Sequence, residues 1–514
     1  MMMSRTDAQQ DVFAFLGDPA THGGASVRRI DTHAASVFLT DQRAYKVKRA
    51  VTFPFLDYGT LARRRAACEA ELEVNRPFAP DLYRRVLPIT RAADGKLALG
   101  GSGEPIEWAV EMVRFDENAT VDHLADAGRI DAALAESLAG AVAKAHAAAP
   151  VVAAPPWLDA LARFVEQDDA AFRALPRLFP ADQVAALTQA SRAAWARVKP
   201  LLLARGERGL IRRGHGDLHL GNIALIDGRP VPFDAIEFDP LIAAGDVLYD
   251  LAFLLMDLIE RRLVDAANTV LNRYLAQTER DDDLDGLAAL PLFMSVRAAI
   301  RAKVTAARLD NPSEKERDEI SRTALTYFDL ACALITPPPP TLITVGGLSG
   351  TGKSVLARAL APTLKPPPGA VLLRSDVERK RLFGVRETER LPAAAYTADA
   401  SARIYAALNE KAQRILAAGH VAIVDAVFAA PQERSAVAAI AAAHGVRFHG
   451  LFLTADVETR VARIGGRRND ASDADANVAR RQESYDLGPM DWVMVDASGT
   501  PKATLTHAKA ALAT

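Results

Sequence analysis

The sequence predicts a chain of two unlike parts: an α+β part, then an α/β part built on a parallel sheet of about five strands. Three observations predict it. Four consecutive prolines, Pro337–Pro340, have fixed φ and no N–H, so they form a short semi-rigid spacer. After them, apolar runs of strand length alternate with helical patterns. Before them, short β-type runs come first and long helical stretches follow. The expected division is 1–335, a proline linker at 336–340, and 341–514.

Composition narrows the class. Of 514 residues, half are hydrophobic and a quarter charged, which is globular composition. A formal net charge of −2 gives no electrostatic argument for DNA, RNA or an anionic membrane surface. Neither nucleic acid nor membrane is an expected partner, and nothing in the pattern speaks to oligomeric state. Cys68 and Cys332 stand far apart. They suggest neither a disulfide scaffold nor a zinc site and fit a reducing cytoplasm. The start, MMMSRTDAQQ, shows no apolar segment after a basic one, so no secretory signal is expected. The longest apolar stretches, 251–259 and 287–300, are broken by Asp257 and Arg297.

In the first part, Val12–Leu16 reads as a helix. Ala35–Leu39 and Arg43–Lys48 read as strands around an Asp41-Gln42 turn. Lys46 and Lys48 then share one strand face, and Tyr45 and Val47 the other. Leu61–Asn75 reads as a helix rich in Arg and Glu, and Trp108–Phe115 as a strand. From Ile130 the pattern is helical, with breaks at Pro155, Pro176 and Pro180. Polar residues then crowd Arg212–Pro240. Ile223–Ile226 and Val231–Phe233 are the arms of a hairpin turning at Asp227-Gly228. Asp217 and Asn222 lie five residues apart before the first arm, and Asp234 ends the second. This is the spacing of a kinase catalytic loop followed by its metal aspartate. One carboxylate takes or orients a hydroxyl proton; an amide and a second carboxylate hold Mg²⁺ against the ATP phosphates.

His215-Gly216-Asp217-Leu218-His219-Leu220-Gly221-Asn222 resembles the H-G-D-x-x-x-x-N loop of aminoglycoside phosphotransferases and choline-kinase-like small-molecule kinases. The resemblance spans roughly Val27–Leu334 and implies a bilobal, protein-kinase-like fold. It implies Asp217 as catalytic base and Asn222 and Asp234 as metal ligands. It further implies an ATP lysine at Lys46 paired with Glu71, with Lys48 and Glu69 as substitutes. It places a hinge that reads adenine at Glu111–Val113. His215 is expected to brace the loop and Asp250 to be structural. The stretch Asp31–Ser36 stands where a glycine-rich phosphate loop would be.

In the second part, Leu342–Val345 reads as a buried strand and Val355–Ala361 as a helix. Between them, Gly347–Ser354 fits G-x-x-x-x-G-K-[ST]. Backbone N–H groups from Gly347, Ser349, Gly350, Thr351 and Gly352 would cradle phosphates. Lys353 would reach the β/γ-phosphates, and the Ser354 hydroxyl would bind Mg²⁺. Further strands are expected at Val371–Leu373, Val421–Val424, Phe448–Leu453 and Trp492–Val495, with helices on both sheet faces and ligands beyond the strand ends. Asp425 is followed by Ala426, whereas a mechanical ATPase would place Asp-Glu there. Arg460, Arg463, Arg467, Arg468, Arg480 and Arg481 form a dense run suited to a closing lid.

These residues resemble the gluconate-kinase, adenylylsulfate-kinase, zeta-toxin and polynucleotide-kinase group of P-loop kinases. The resemblance implies Asp376 as general base with Arg379 near it, Asp425 as a Walker-B-like carboxylate on Mg²⁺, and Arg463 and Arg467 in the lid. Asp470–Ala474 resembles a lid segment of fused members. The whole chain resembles the bifunctional aminoglycoside phosphotransferase/ATP-binding protein family. It implies two ATP- and Mg²⁺-dependent sites acting on small-molecule hydroxyl acceptors. A ligand-sensing module with a nucleotide switch and a nucleic-acid 5′-hydroxyl kinase are the alternative expectations.

Overall fold

The structure, a computed structural model, describes residues 5–53, 56–310, 313–466 and 470–512. They fall into two compact units. Unit 1 comprises Met1–Phe164 with Leu202–Asp257, and unit 2 comprises Val165–Leu201 with Leu258–Thr514. Residues 258–335 thus sit in the unit that holds the parallel sheet.

Unit 1 contains a six-stranded sheet. Its strands are β1 (Arg28–Asp31), β2 (Ala35–Leu39), β3 (Arg43–Lys48), β4 (Tyr83–Arg91), β5 (Leu97–Leu99) and β6 (Glu104–Val113). They lie in the order β1-β2-β3-β6-β4-β5, and every pairing is antiparallel. The first helix, α1 (Arg5–Gly17), is longer than the apolar run that announced it. Its Val12, Phe13 and Leu16 pack on Phe38, Tyr45, Val47 and Ile89. Strand alternation sends Lys46 and Lys48 to the opposite face, toward α2 (Leu61–Asn75). Thr60 caps α2, its Oγ1 accepting from Arg63 N at 3.3 Å. The strand expected at Trp108–Phe115 instead runs from Glu104 and stops at Val113. The hairpin is β7 (Ile223–Ile226) and β8 (Arg229–Pro232). Asp227 (φ 49°) and Gly228 (φ 73°) both adopt the left-handed conformation that a two-residue hairpin turn requires.

Unit 2 carries the parallel sheet: β9 (Thr341–Gly347), β10 (Val371–Arg374), β11 (Ala422–Asp425), β12 (Arg447–Thr454) and β13 (Val493–Asp496). The order is β10-β11-β9-β12-β13, all parallel. Helix α4 (Lys353–Leu360) follows β9, and α5 (Ser375–Leu382) follows β10 directly. An earlier helix of the same unit, α3 (Val264–Thr278), belongs to the run of helices before the prolines. Ile343, Val345, Leu356, Leu360, Ile423, Leu451 and Leu453 form the core between sheet and helices. Burial of such side chains contributes roughly 1.5–3 kcal/mol each. No helix among the described residues is long and apolar enough to cross a membrane.

Candidate active sites

In unit 1, a chain of alternating charges joins β3, α2 and the segment after β8. Lys46 Nζ lies 2.8 Å from Glu71 Oε1 and 2.5 Å from Asp234 Oδ1. Lys48 Nζ lies 2.6 Å from Glu71 Oε2 and also pairs with Glu237. Glu71 therefore carries both lysines, one on each oxygen. Burial alone would lower the Lys46 pKa, but Asp234 and Glu71 outweigh it and raise it well above the usual lysine range. Burial likewise opposes the charge of Asp234, and Lys46 holds its pKa below the ordinary carboxylate value. Glu69, the alternative partner, pairs instead with exposed Arg65 at 2.9 Å. Among the described residues, Lys46 rather than Lys48 forms the ion pair with Asp234.

The catalytic loop is braced from behind. Asp250, on the helix Val247–Glu260, accepts from His215 N at 2.8 Å and Gly216 N at 3.0 Å. A Cβ at Gly216 (φ 82°) would stand 2.9 Å from Ala243 Cα, so the loop needs glycine there. His215 is fully buried and bonds through Nε2 to Phe233 O at 2.9 Å. Burial lowers its pKa, so the neutral ring donates to that carbonyl. Both residues are structural. His219, given no role by the sequence, caps the turn before Asn222 by accepting from Gly221 N at 3.1 Å. Asn222 Nδ2 donates to Asp217 Oδ2 at 3.0 Å and to Asp217 O at 2.9 Å. The Asp217 charge is felt at Asp234, which places the two carboxylates in one field. Asp234 adopts φ 62°, an uncommon backbone for a non-glycine residue, and its N–H donates to Tyr83 OH at 3.0 Å.

The expected hinge, Glu111–Val113, is the last stretch of pleat in β6. Glu111 lies inside the sheet, opposite Tyr45 on one side and Arg85 on the other. Its carboxylate bridges Arg43 at 3.0 Å and Arg85 at 2.7 Å. Val113 N–H donates to Leu82 O at 2.9 Å. The Val113 N–H thus serves a backbone bond within the unit. The Asp31–Ser36 stretch is a tight β1–β2 connection, in which Ser36 Oγ donates to Asp31 Oδ1 at 2.7 Å. Sequence reasoning missed Tyr83, Glu237, Tyr58, whose OH donates to Glu237 Oε1 at 2.7 Å, and Asn75, whose Oδ1 accepts from Ala235 N at 2.8 Å. Of these, only Glu237, three residues past Asp234, stood near a recognised motif.

In unit 2, a cavity of 1110 Å³ is lined by Lys353, Ser354, Asp376, Arg379, Asp425 and Arg463, together with Ser349–Gly352. Gly347 (φ 138°), Gly350 (φ 90°) and Gly352 (φ 93°) shape the loop. A Cβ at Gly350 would meet Arg460 O at 2.6 Å. Ser354 Oγ donates to Asp425 Oδ2 at 2.5 Å, and Lys353 Nζ donates to Leu348 O at 3.2 Å. Burial raises the Asp425 pKa, against the pull of Lys353, Arg374 and the Ser354 hydroxyl. Asp376 stands at the first turn of α5 and its charge is felt at Asp425. Arg379 is buried; it bonds to Ala395 O at 2.5 Å and stacks over Tyr396 at 5.0 Å. Arg463 lines the cavity with its guanidinium on the carbonyls of Gly499 (2.9 Å) and Thr351 (3.5 Å). Arg467 lies outside the described residues. The lid run is tied down: Asp473 accepts from Lys380 and Tyr396 OH, both at 2.7 Å, and from Leu391 N at 2.9 Å.

Among the described residues, no group of three or more His, Cys, Asp or Glu could hold a metal alone. A hydroxyl beside one buried carboxylate, as at Ser354 and Asp425, is instead the donor set of a magnesium completed by phosphates and water. Asn222 and Asp234 offer the comparable set in unit 1.

A kinase-like lobe followed by a P-loop kinase fold defines a phosphotransferase. Residues 26–290 match the model of the phosphotransferase enzyme family, and the chain belongs to that family. Residues 342–486 match the model of an AAA domain. Uncharacterized proteins of Mycobacterium tuberculosis strain H37Rv and of Mycobacterium bovis are 29% identical over 471 residues, covering 89% of this chain and 90% of theirs. A choline kinase from Cryptosporidium parvum Iowa II is 11% identical, covering 63% of this chain and 94% of that one, at a TM-score of 0.40. A gluconokinase from Sinorhizobium meliloti 1021 is 21% identical over 34% of this chain and 92% of that one, at a TM-score of 0.26.

Proposed function

We propose that this phosphotransferase has two nucleotide sites, each passing the γ-phosphoryl group of ATP to a hydroxyl of a small molecule. What supports the proposal is that each unit brings a lysine together with two carboxylates. In unit 1 these are Lys46, Asp234 and Asp217; in unit 2 they are Lys353, Asp425 and Asp376.

At each site the acceptor oxygen bonds to the γ-phosphorus as the bond to the β–γ bridging oxygen breaks. The hydroxyl proton goes to Asp217 or Asp376, and ADP leaves. Asn222 and Asp234 at the first site, and Ser354 and Asp425 at the second, would hold Mg²⁺, which would supply charge neutralisation on the phosphates. Lys46 and Lys353 add positive charge where the transferring group becomes most negative. At the second site Asp425-Ala426 lacks an adjacent glutamate to activate water, which favours an alcohol acceptor over hydrolysis.

Calorimetric titration with a non-hydrolysable ATP analogue tests the count of sites. Two nucleotides per chain are expected, falling to one in Lys353→Ala. A single nucleotide unaffected by Lys353→Ala would refute the two-site reading. A metabolite screen with Asp217→Ala and Asp376→Ala then assigns each acceptor to its site.

A further inference from the structure

β10 is one of the two edge strands of the parallel sheet. α3 lies against its open side, and α3 falls within the residues matched by the phosphotransferase family. Asn272 Oδ1 accepts from Leu372 N at 2.7 Å. Asn272 Nδ2 and Asn268 Nδ2 each donate to Ala370 O at 3.0 Å. The Asn272 amide thus stands in for the peptide group of a neighbouring strand. One residue further, Arg273 Nη1 meets Glu387 Oε2 at 3.0 Å. The other Glu387 oxygen lies 3.5 Å from Arg374 Nη1. Arg374 ends β10; its Nη2 is 3.3 Å from Asp470 Oδ1 and its Nε is 3.6 Å from Asp425 Oδ2. That Nε is buried and has no hydrogen-bond acceptor among the described residues. The Asp425 oxygen it faces is the one that accepts from Ser354.

A buried donor left without an acceptor is costly, because it has given up its bond to water. An orphan N–H this close to a carboxylate oxygen points to a second arrangement in which the two bond. We propose that Arg374 is a positioning residue for Asp425 and that Arg273 on α3 sets Arg374 through Glu387, which makes a helix of the phosphotransferase match part of the second site. When a ligand engages the Ser354 hydroxyl, Asp425 Oδ2 loses its donor and Arg374 Nε takes its place. The guanidinium then keeps the buried carboxylate aimed. This inference rests on the nucleotide-binding reading of the second site.

The test uses the full chain carrying Lys46→Met, so that only the second site is titrated. Binding of an ATP analogue is measured by calorimetry over a series of Mg²⁺ concentrations and again in EDTA, with thermal unfolding followed in parallel. Loss of an outer-shell partner typically costs 10–100-fold in metal affinity. Arg374→Gln should therefore raise the Mg²⁺ concentration needed for half-maximal enhancement by about 10- to 100-fold, with metal-free affinity unchanged. Arg273→Gln should shift it in the same direction by less, and Arg273→Lys should restore it. Arg273 is half-exposed, so its variants decide the matter even where Arg374→Gln folds poorly. An unchanged Mg²⁺ dependence in Arg273→Gln, or equal losses with and without metal, overturns the proposal. Failure of the underlying reading looks different: the Lys46→Met chain would bind no nucleotide, or would bind it equally after Lys353→Ala.

Discussion

Lys46 Nζ stands 2.5 Å from Asp234 Oδ1, so a lysine and an aspartate 188 positions apart in sequence neutralise each other. Lys46→Met should abolish nucleotide binding at the first site and leave one nucleotide per chain at the second, read by calorimetry. Lys48→Met has a different signature. It leaves Glu71 and Glu237 buried without their shared cation, and breaking a buried pair costs about 3–5 kcal/mol. Its main effect should be a fall in the Tm of unit 1.

Gly350→Ala should silence the second site alone. The added Cβ would have to occupy space 2.6 Å from Arg460 O at a φ of 90° that alanine rarely adopts. Nucleotide stoichiometry should fall by one, and transfer dependent on Asp217 should persist.

Asp250→Asn tests the brace behind the first catalytic loop. The carboxylate accepts two backbone N–H groups; an amide presents one oxygen and sets its NH₂ against the other donor. The expected cost is about 1–3 kcal/mol of stability. Transfer at the first site should fall, and nucleotide binding at the second should be unchanged.

Asp168 gives a pH signature. It lies on the helix Ala154–Arg173, 2.5 Å from Lys303, and burial outweighs that cation to push its pKa up to about 6. A carboxyl whose folded pKa is raised contributes stability at low pH that is lost as pH rises through the folded value. The stability of the wild type relative to Asp168→Asn should therefore fall by about 3 kcal/mol from pH 3.5 to 7.5. Denaturant unfolding at several pH values reads this difference, and a pH-independent difference would refute it.

Legibility in the sequence followed the range of the physics involved. β2, β3 and α2 begin and end where their patterns do, because period-2 and period-3.6 burial is written locally. The start of β6 was hidden: Glu104 and Pro105 are exposed and owe their strand conformation to β4. The glycine–lysine loop and the Asp217–Asn222 spacing were legible because one short segment carries each. Lys46 and Lys48 share a strand face, so no local pattern separates them; only Asp234 does. Glu237, Tyr83, Arg374 and Glu387 were illegible for one reason. Each acts on a residue brought to it by tertiary folding rather than by spacing.

The amide of Asn272 has a bearing on heredity. A recombination event in the codons for Pro337–Pro340 would transplant a sheet whose outermost strand has lost its mate, with Leu372 N and Ala370 O bared to any passing peptide. A transplant that begins upstream of Val264 carries its own cover. Lineages that shuffle this kinase module are therefore expected to inherit the helices before the prolines along with it, and a genomic survey of junction positions would show them clustered ahead of that codon.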